Sequence, residues 1–255
     1  MSSRFLKNNL FHMDPIQEFK DFREKNIIAT GQNKKLQKLS KEFIVEAERQ
    51  KYLFNFHWQG RPIIQFPQDM MALQEIIFDV KPDLIIETGI AHGGGLIFYA
   101  SMLELLGKGE VVGIDIDIRK HNRKEIEKHR MFKRIKMIEG SSISKEVADQ
   151  VAKIAKKHKK VLVCLDSTHQ HDHVLKELQT YSKFVSKGSY IVAMDTIVEL
   201  TPKGFWKDRP WDRGNSPATA VSSFLQKNKN FIIDKNIDDK LLITSCPGGY
   251  LKRIK

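Results

Sequence analysis

Only two of the 255 residues are cysteine. Cys164 lies inside an apolar run and Cys246 stands just before Pro247, so the pair offers neither a disulfide framework nor a cysteine metal site. Both are expected as reduced core or strand residues. No apolar run approaches membrane-spanning length, and Arg4, Lys7, Asn8 and Asn9 interrupt the first ten residues, where a secretory leader would be continuously apolar. The expected location is therefore the cytoplasm, with no membrane span. Acidic residues are in deficit, 31 against 43 Lys and Arg, which leaves a formal net charge of +12. Much of the excess lies in residues 119–136 and 153–160, which read as exposed helix faces flanking a sheet. Attraction to acidic glycans, lipid headgroups or nucleic acid is the alternative. No basic stretch is interleaved with aromatics, so no nucleic-acid partner is expected. Internal repeats and low-complexity linkers are also missing.

The pyrophosphate fingerprint of dinucleotide sites is lacking too. That motif spaces its glycines G-x-G-x-x-G so that a phosphate can rest on a helix N-terminus, whereas after Gly89 the next glycine is Gly93. What stands there is an apolar strand, residues 84–86, running through Glu87 into the turn Gly89-Ile90-Ala91-His92-Gly93-Gly94-Gly95 and on into a helical pattern. A carboxylate just before the first glycine would repel phosphate and suits a cationic or amine-bearing ligand, such as the methionyl part of S-adenosylmethionine. The cofactor-binding set is read as Glu87, Gly89, Gly93 and Gly94 at this turn, then Asp115 and Asp117 at the end of the next strand for the ribose hydroxyls. Ser141 and Ser142 follow a third apolar run and face the adenine edge, and Asp166 ends a fourth. The alternative for Glu87 and Asp115 is that they simply cap strand ends.

These motifs, together with Asp166-Ser167-Thr168-His169, Gly188-Ser189-Tyr190, Asp195-Thr196 and Gly249-Tyr250-Leu251-Lys252-Arg253, resemble the cephalosporin hydroxylase and rhamnosyl O-methyltransferase family from about Trp58 onward. The resemblance implies an α/β class I methyltransferase fold, a Rossmann-like doubly wound sheet with an antiparallel C-terminal edge. It also implies S-adenosylmethionine and often a divalent metal. The expected organisation is an N-terminal helical extension over residues 1–57, with Leu36, Leu39, Phe43 and Ala47 at helical spacing, and a methyltransferase domain over 58–255. The extension is expected to pack on that domain or on a second subunit of a homo-oligomer. The apolar runs 231–234 and 241–244 and the segment from Tyr250 are read as the antiparallel edge.

Asp166 and Asp195 each end a strand, so both carboxylates should reach the crevice beyond the sheet edge and could hold magnesium, which prefers oxygen ligands. In metal-dependent relatives an acidic residue precedes the position of Asp195, and here that residue is Met194. A thioether serves magnesium poorly. The departure weakens the metal, replaces the ligand by water or another side chain, or removes the requirement. His169, three residues after Asp166, resembles the base position of catechol-type O-methyltransferases and is the expected general base, with Asp166 beside it in the catalytic pair. His171 and His173 are read as surface residues capping the next helix. A loop carrying Trp206, Arg209, Trp211 and Arg213 is the expected lid over a small-molecule or glycan acceptor. The expected activity is S-adenosylmethionine-dependent O-methylation. The rivals are a non-catalytic cofactor-binding protein and a nicotinamide-dependent sugar oxidoreductase.

Overall fold

The computed structural model describes residues 14–255; the leader reading of the first ten residues lies outside them. Two helices come first. The Asp14 carboxylate accepts the Ile16 amide and Pro15 occupies the first turn, so α1 (Pro15–Gln32) starts with both a cap and a preset φ. Asn33 ends α1 and caps α2 (Lys34–Arg49) by accepting from the Lys35 and Leu36 amides. A short hairpin, β1 (His57–Trp58) and β2 (Arg61–Pro62), leads into α3 (Pro67–Val80), which Lys81 closes in the left-handed conformation. Strands and helices then alternate: β3 (Leu84–Thr88), α4 (Gly94–Leu105), β4 (Glu110–Asp115), α5 (Lys120–Lys128), β5 (Ile135–Glu139), α6 (Lys145–Ala155), β6 (Val161–Leu165), α7 (His171–Tyr181) and β7 (Tyr190–Ala193). The chain finishes with α8 (Pro217–Lys227), β8 (Phe231–Ile233), α9 (Lys235–Leu241) and β9 (Tyr250–Arg253).

Among the described residues the main sheet orders its strands β5-β4-β3-β6-β7-β9-β8, parallel from β5 to β7, with β9 antiparallel to both β7 and β8. Alternate residues of β3 serve opposite faces. Ile85 joins Leu73, Ile77, Tyr99 and Leu103 of α3 and α4, while Leu84 and Ile86 join Val151, Leu178 and Phe224 of α6, α7 and α8. A strand buried on both faces reads as a continuous apolar run, which is why β3 and β6 stood out in the sequence. The strand order reverses between β3 and β6, the point at which open α/β sheets bind ligands beyond the C-terminal ends of their strands.

The doubly wound sheet, the antiparallel edge and the N-terminal helices match the sequence expectation. Residues 241–244 depart from it. Leu242 takes φ 57° and ends α9, and the Thr244 and Ser245 side chains then turn inward to hydrogen-bond the fully buried Asp69, so this run never joins the sheet. On α2, Leu36, Leu39 and Phe43 are exposed, whereas Ile44 and Ala47 are buried against Leu53, Phe66 and Ile197. The basic stretch 119–136 answers acids of neighbouring elements in part: Arg123 pairs with Glu139 at 2.8 Å, Arg134 with Glu104 at 2.5 Å and Lys136 with Glu110 at 2.7 Å.

Candidate active site

The glycine turn after β3 is shaped by its neighbours. Gly89 has φ +89°, and a Cβ there would stand 2.0 Å from the carbonyl oxygen of Asp166, so β3 and β6 approach at a distance only glycine allows. Glu87 is 2% exposed and lies beneath the first turn of α4, where a Cβ on Gly95 would meet its Oε1 at 2.3 Å. Its Oε2 has no hydrogen-bond partner. Burial pushes the Glu87 carboxyl well above its ordinary value, with the charge of Asp115 adding to the shift.

Asp115 stands at the end of β4 and binds the turn directly. Its Oδ2 accepts from the Ile90 amide at 2.8 Å and the Ala91 amide at 3.2 Å, and its Oδ1 accepts from the Asp117 amide. Asp117 itself faces solvent, its side chain 72% exposed, with Arg119 4.0 Å away. Behind the turn, the Arg61 guanidinium donates to the His92 carbonyl and to Asn122, while the Asn122 amide donates to the Ala91 carbonyl at 2.9 Å. Ala91 takes a positive φ of 45° in this clamp. Gly93 precedes the first residue of α4, Gly94, and no side chain caps that helix, so its first amides remain available to a ligand.

On the β5 side, Ser141 is partly buried and Ser142 is 5% exposed. The Ser142 hydroxyl contacts His173 Nε2 at 3.1 Å, His173 lies 3.5 Å from Glu177, and Ser167 donates to Glu177 at 2.8 Å. His173 is thus a link in a polar chain beneath the crevice, which corrects its reading as a surface cap. His171 begins α7 with its Nδ1 2.8 Å from the Thr219 hydroxyl, fastening α7 to α8. Both histidines are set by partners more than thirty positions away in the chain or by a turn of helix, which a local pattern does not show.

Asp166, His169 and Asp195 come together beyond the ends of β6 and β7, with one ligand atom from each within 4.8 Å of the others. His169 Nε2 lies 3.1 Å from Asp195 Oδ2, and the imidazole meets the Trp211 ring edge-to-face at 4.6 Å. Burial pushes the Asp166 carboxyl well up, and the charges of Asp195, Glu87 and Glu177 add to it. Asp195 itself sits at φ +53°, a strained backbone for a non-glycine residue of the kind concentrated at functional sites. Two carboxylates and an imidazole suit a divalent cation. Met194 contributes nothing to that set: its side chain is 2% exposed in the core, its sulfur 3.1 Å from Cys246 Sγ.

The loop after β7 closes the other side. Arg209 stacks over Trp211 at 5.3 Å and Arg49 of α2 over Phe205 at 5.2 Å, while Glu199 holds Gly214 and Ser216. Nearby on α2, burial and then the charge of Asp195 push the Glu48 carboxyl up to about 7. The sequence reading missed Arg61, Asn122, Glu177 and Glu48. For the two glutamates a signal existed. Glu177 shares the buried face of α7 with Val174, Leu178 and Tyr181, and Glu48 follows Ile44 and Ala47, so each places a carboxylate at an apolar position of the helical repeat.

Three comparisons bear on this site. The family described as "Rhamnosyl O-methyltransferase/CmcI" matches residues 50–254. Rhamnosyl O-methyltransferases of Mycobacterium bovis and Mycobacterium tuberculosis are 27% identical over 191 residues, 72% of this chain and 73% of theirs. The Mycobacterium leprae enzyme of the same name is 28% identical over 147 residues, 57% of this chain and 62% of its own. Among solved structures, CmcI in an apo form superposes with a TM-score of 0.55 at 16% identity, covering 78% of this chain and 76% of that one. CmcI with Mg and SAM gives the same TM-score and identity over 79% of this chain and 78% of that one. The likeness to these structures establishes the class I methyltransferase fold.

Proposed function

The chain belongs to the rhamnosyl O-methyltransferase/CmcI family, and from that premise we propose that it transfers a methyl group from S-adenosylmethionine to a sugar hydroxyl of a small molecule or surface-glycan precursor. It is an S-adenosylmethionine-dependent O-methyltransferase; the acceptor class is the part that we infer. One observation carries the reading: Gly89 touches the backbone of Asp166, so the cofactor-type turn and the Asp166–His169–Asp195 trio share one sheet edge. Bound S-adenosylmethionine supplies an activated methyl, leaving the protein to provide proximity, alignment and proton removal. Asp115 and the free amides at the start of α4 hold the ribose and methionyl ends, Ser141 and Ser142 border the adenine side, and Glu87, raised by burial behind the turn, gains its charge against the cationic end of the cofactor.

His169 takes the acceptor proton, with the Asp195 carboxylate beside its ring to stabilise the imidazolium that forms. Asp166 and Asp195 would hold magnesium, which would polarise the acceptor hydroxyl. Trp211 and Phe205, each under an arginine, offer stacking faces to a sugar ring. Family membership sets aside the nicotinamide alternative. The non-catalytic alternative rested on Met194, whose side chain belongs to the core. Exposed Ile16, Phe19 and Phe22 on α1 support self-association as a homo-oligomer. The two buried, unpaired cysteines support a reducing compartment, the cytoplasm. No helix among the described residues is long and apolar enough to cross a membrane.

The test pairs two measurements. Labelled S-adenosylmethionine should transfer its methyl to oxygen in a panel of deoxyhexose and hexose glycosides. The His169→Ala enzyme should bind S-adenosylhomocysteine normally and lose roughly 10²-fold or more in turnover. Wild-type turnover in that variant would remove the base assignment, and labelling confined to nitrogen or sulfur acceptors would remove the sugar-hydroxyl reading.

A further inference from the structure

Glu48 lies outside every motif that marks this family. It follows Ile44 by one helical turn, and residues four apart share a face of the helix, so Glu48 turns toward the side on which Ile44 and Ala47 are buried. That side meets Ile197, two residues after Asp195. Arg49, the next residue, stacks over Phe205 of the loop that follows, so α2 is fastened at two points of the segment after β7. Glu46 on the same helix has Arg49 3.6 Å away, whereas Glu48 has no basic partner among the described residues and feels the charge of Asp195.

Two observations then fit one another. The end of β7 offers one carboxylate, Asp195, because Met194 sends its sulfur into the core against Cys246. The helix packed on Ile197 brings a half-buried carboxylate that has no basic partner among the described residues. Facing carboxylates repel at short range in a partly buried site, and a divalent cation between them turns the repulsion into attraction. Glu48 stands outside the tight trio of Asp166, His169 and Asp195, which are the residues whose ligand atoms lie within 4.8 Å of one another. Magnesium keeps several waters when bound by proteins, and carboxylates beyond the ligand shell accept hydrogen bonds from those waters.

We propose that Glu48, carried by the N-terminal helix α2, is the third carboxylate of the divalent-cation site and acts through a cation-bound water, filling from outside the sheet the role left vacant at Met194. This rests on the reading of Asp166 and Asp195 as the cation's ligands. It makes Glu48 a positioning residue, and it makes α2 part of the active centre.

The experiment is a Mn²⁺ titration of the full-length protein with saturating S-adenosylhomocysteine, following the electron paramagnetic resonance signal of free Mn²⁺. Wild type, Glu48→Gln, Glu46→Gln and Asp195→Asn are compared, with metal-free melting and S-adenosylhomocysteine affinity measured alongside. Glu48→Gln should weaken Mn²⁺ binding about tenfold or more, with metal-free melting no lower than wild type and S-adenosylhomocysteine affinity unchanged. Glu46→Gln should leave Mn²⁺ binding at the wild-type level and Asp195→Asn should abolish it. If Glu48→Gln holds Mn²⁺ as wild type does while Asp195→Asn loses it, the role of Glu48 is overturned and the cation reading stands. Equal weakening by Glu46→Gln and Glu48→Gln would reduce the effect to general surface charge and overturn it too. A wild-type protein that binds no Mn²⁺ would overturn the cation site and Glu48 with it.

Discussion

Single carboxylates decide much of this molecule's behaviour, because several are buried where water cannot answer them. Asp115 spends both oxygens on amides of the turn and of its own strand end. Asp115→Ala would release those amides and remove the ribose acceptor together, so calorimetry should show S-adenosylhomocysteine affinity falling at least about tenfold, a loss of one charge-assisted pair. Glu87→Gln should also weaken binding, by removing a carboxyl that can take its charge against the cationic cofactor; unchanged affinity in both variants would remove this pocket. Asp238 offers a test away from the site. Burial lifts its carboxyl from the ordinary 3.8 to about 6, against the opposing hydrogen bond from the Gly248 amide. The folded state then holds its proton more tightly than the unfolded chain does. Its contribution is fully present below the unfolded value and is lost as pH rises through about 6. The stability of Asp238→Asn relative to wild type should therefore rise between pH 4 and pH 6.5 by about 2 kcal/mol and level off above that, as urea midpoints at several pH values would report. Asp115, Asp166 and Asp195 were legible as strand-end acids. Asp69 was passed over because its partners come from a distant segment, Thr244, Ser245 and Tyr250 at the far end of the chain, while Glu48 and Glu177 were passed over although each stands at an apolar position of its helix.

At the scale of elements, the turn between β3 and α4 carries the most constraint. An alanine at Gly89 would have to hold φ +89° and press its Cβ into the Asp166 carbonyl. Gly107 has a comparable φ of +73°, and a Cβ placed there would meet nothing within 4 Å, so it isolates the conformational part of the cost. Gly107→Ala should cost about 1–2 kcal/mol, and Gly89→Ala about 3 kcal/mol or more because backbone contact is added to the same strain. Equal denaturation midpoints for the two would show that β3 and β6 can separate at the crevice without penalty. The strands were readable because burial on both faces makes them continuously apolar, and the turn because its glycines follow such a strand. Residues 241–244 misled for the same reason: an apolar run of strand length also serves as a helix end whose polar neighbours point inward, and only the buried Asp69 explains why this one does so.

For the whole molecule, the question is whether residues 1–57 are an appendage or part of the cooperative unit. The hairpin strand His57–Trp58 straddles the boundary drawn from the sequence, and its Trp58 indole donates to Ser101 of α4. Ile44 and Ala47 of α2 and Leu53 beyond it cover Phe66 and Ile197. On α1, Ile27 is buried, a Cβ on Gly31 would overlap Asp239 of α9, and Arg23 lies 3.5 Å from Glu75 of α3. The spacing of Leu36, Leu39, Phe43 and Ala47 marked α2 as a helix; of these Ala47 packs on the domain with Ser40 and Ile44, and Leu36, Leu39 and Phe43 lie on the exposed side. Removing residues 1–57 would uncover a patch centred on Phe66 and Ile197, both essentially unexposed in the whole chain. At about 1.5–3 kcal/mol for each large apolar side chain returned to water, the loss is several kcal/mol out of the 5–15 kcal/mol typical of a folded domain. The full chain should therefore melt in one calorimetric transition, and the fragment 58–255 should either unfold at a clearly lower temperature or remain aggregated. A fragment that melts where the full chain does would show that the sheet is stable by itself and that α1 and α2 rest on it without supporting it.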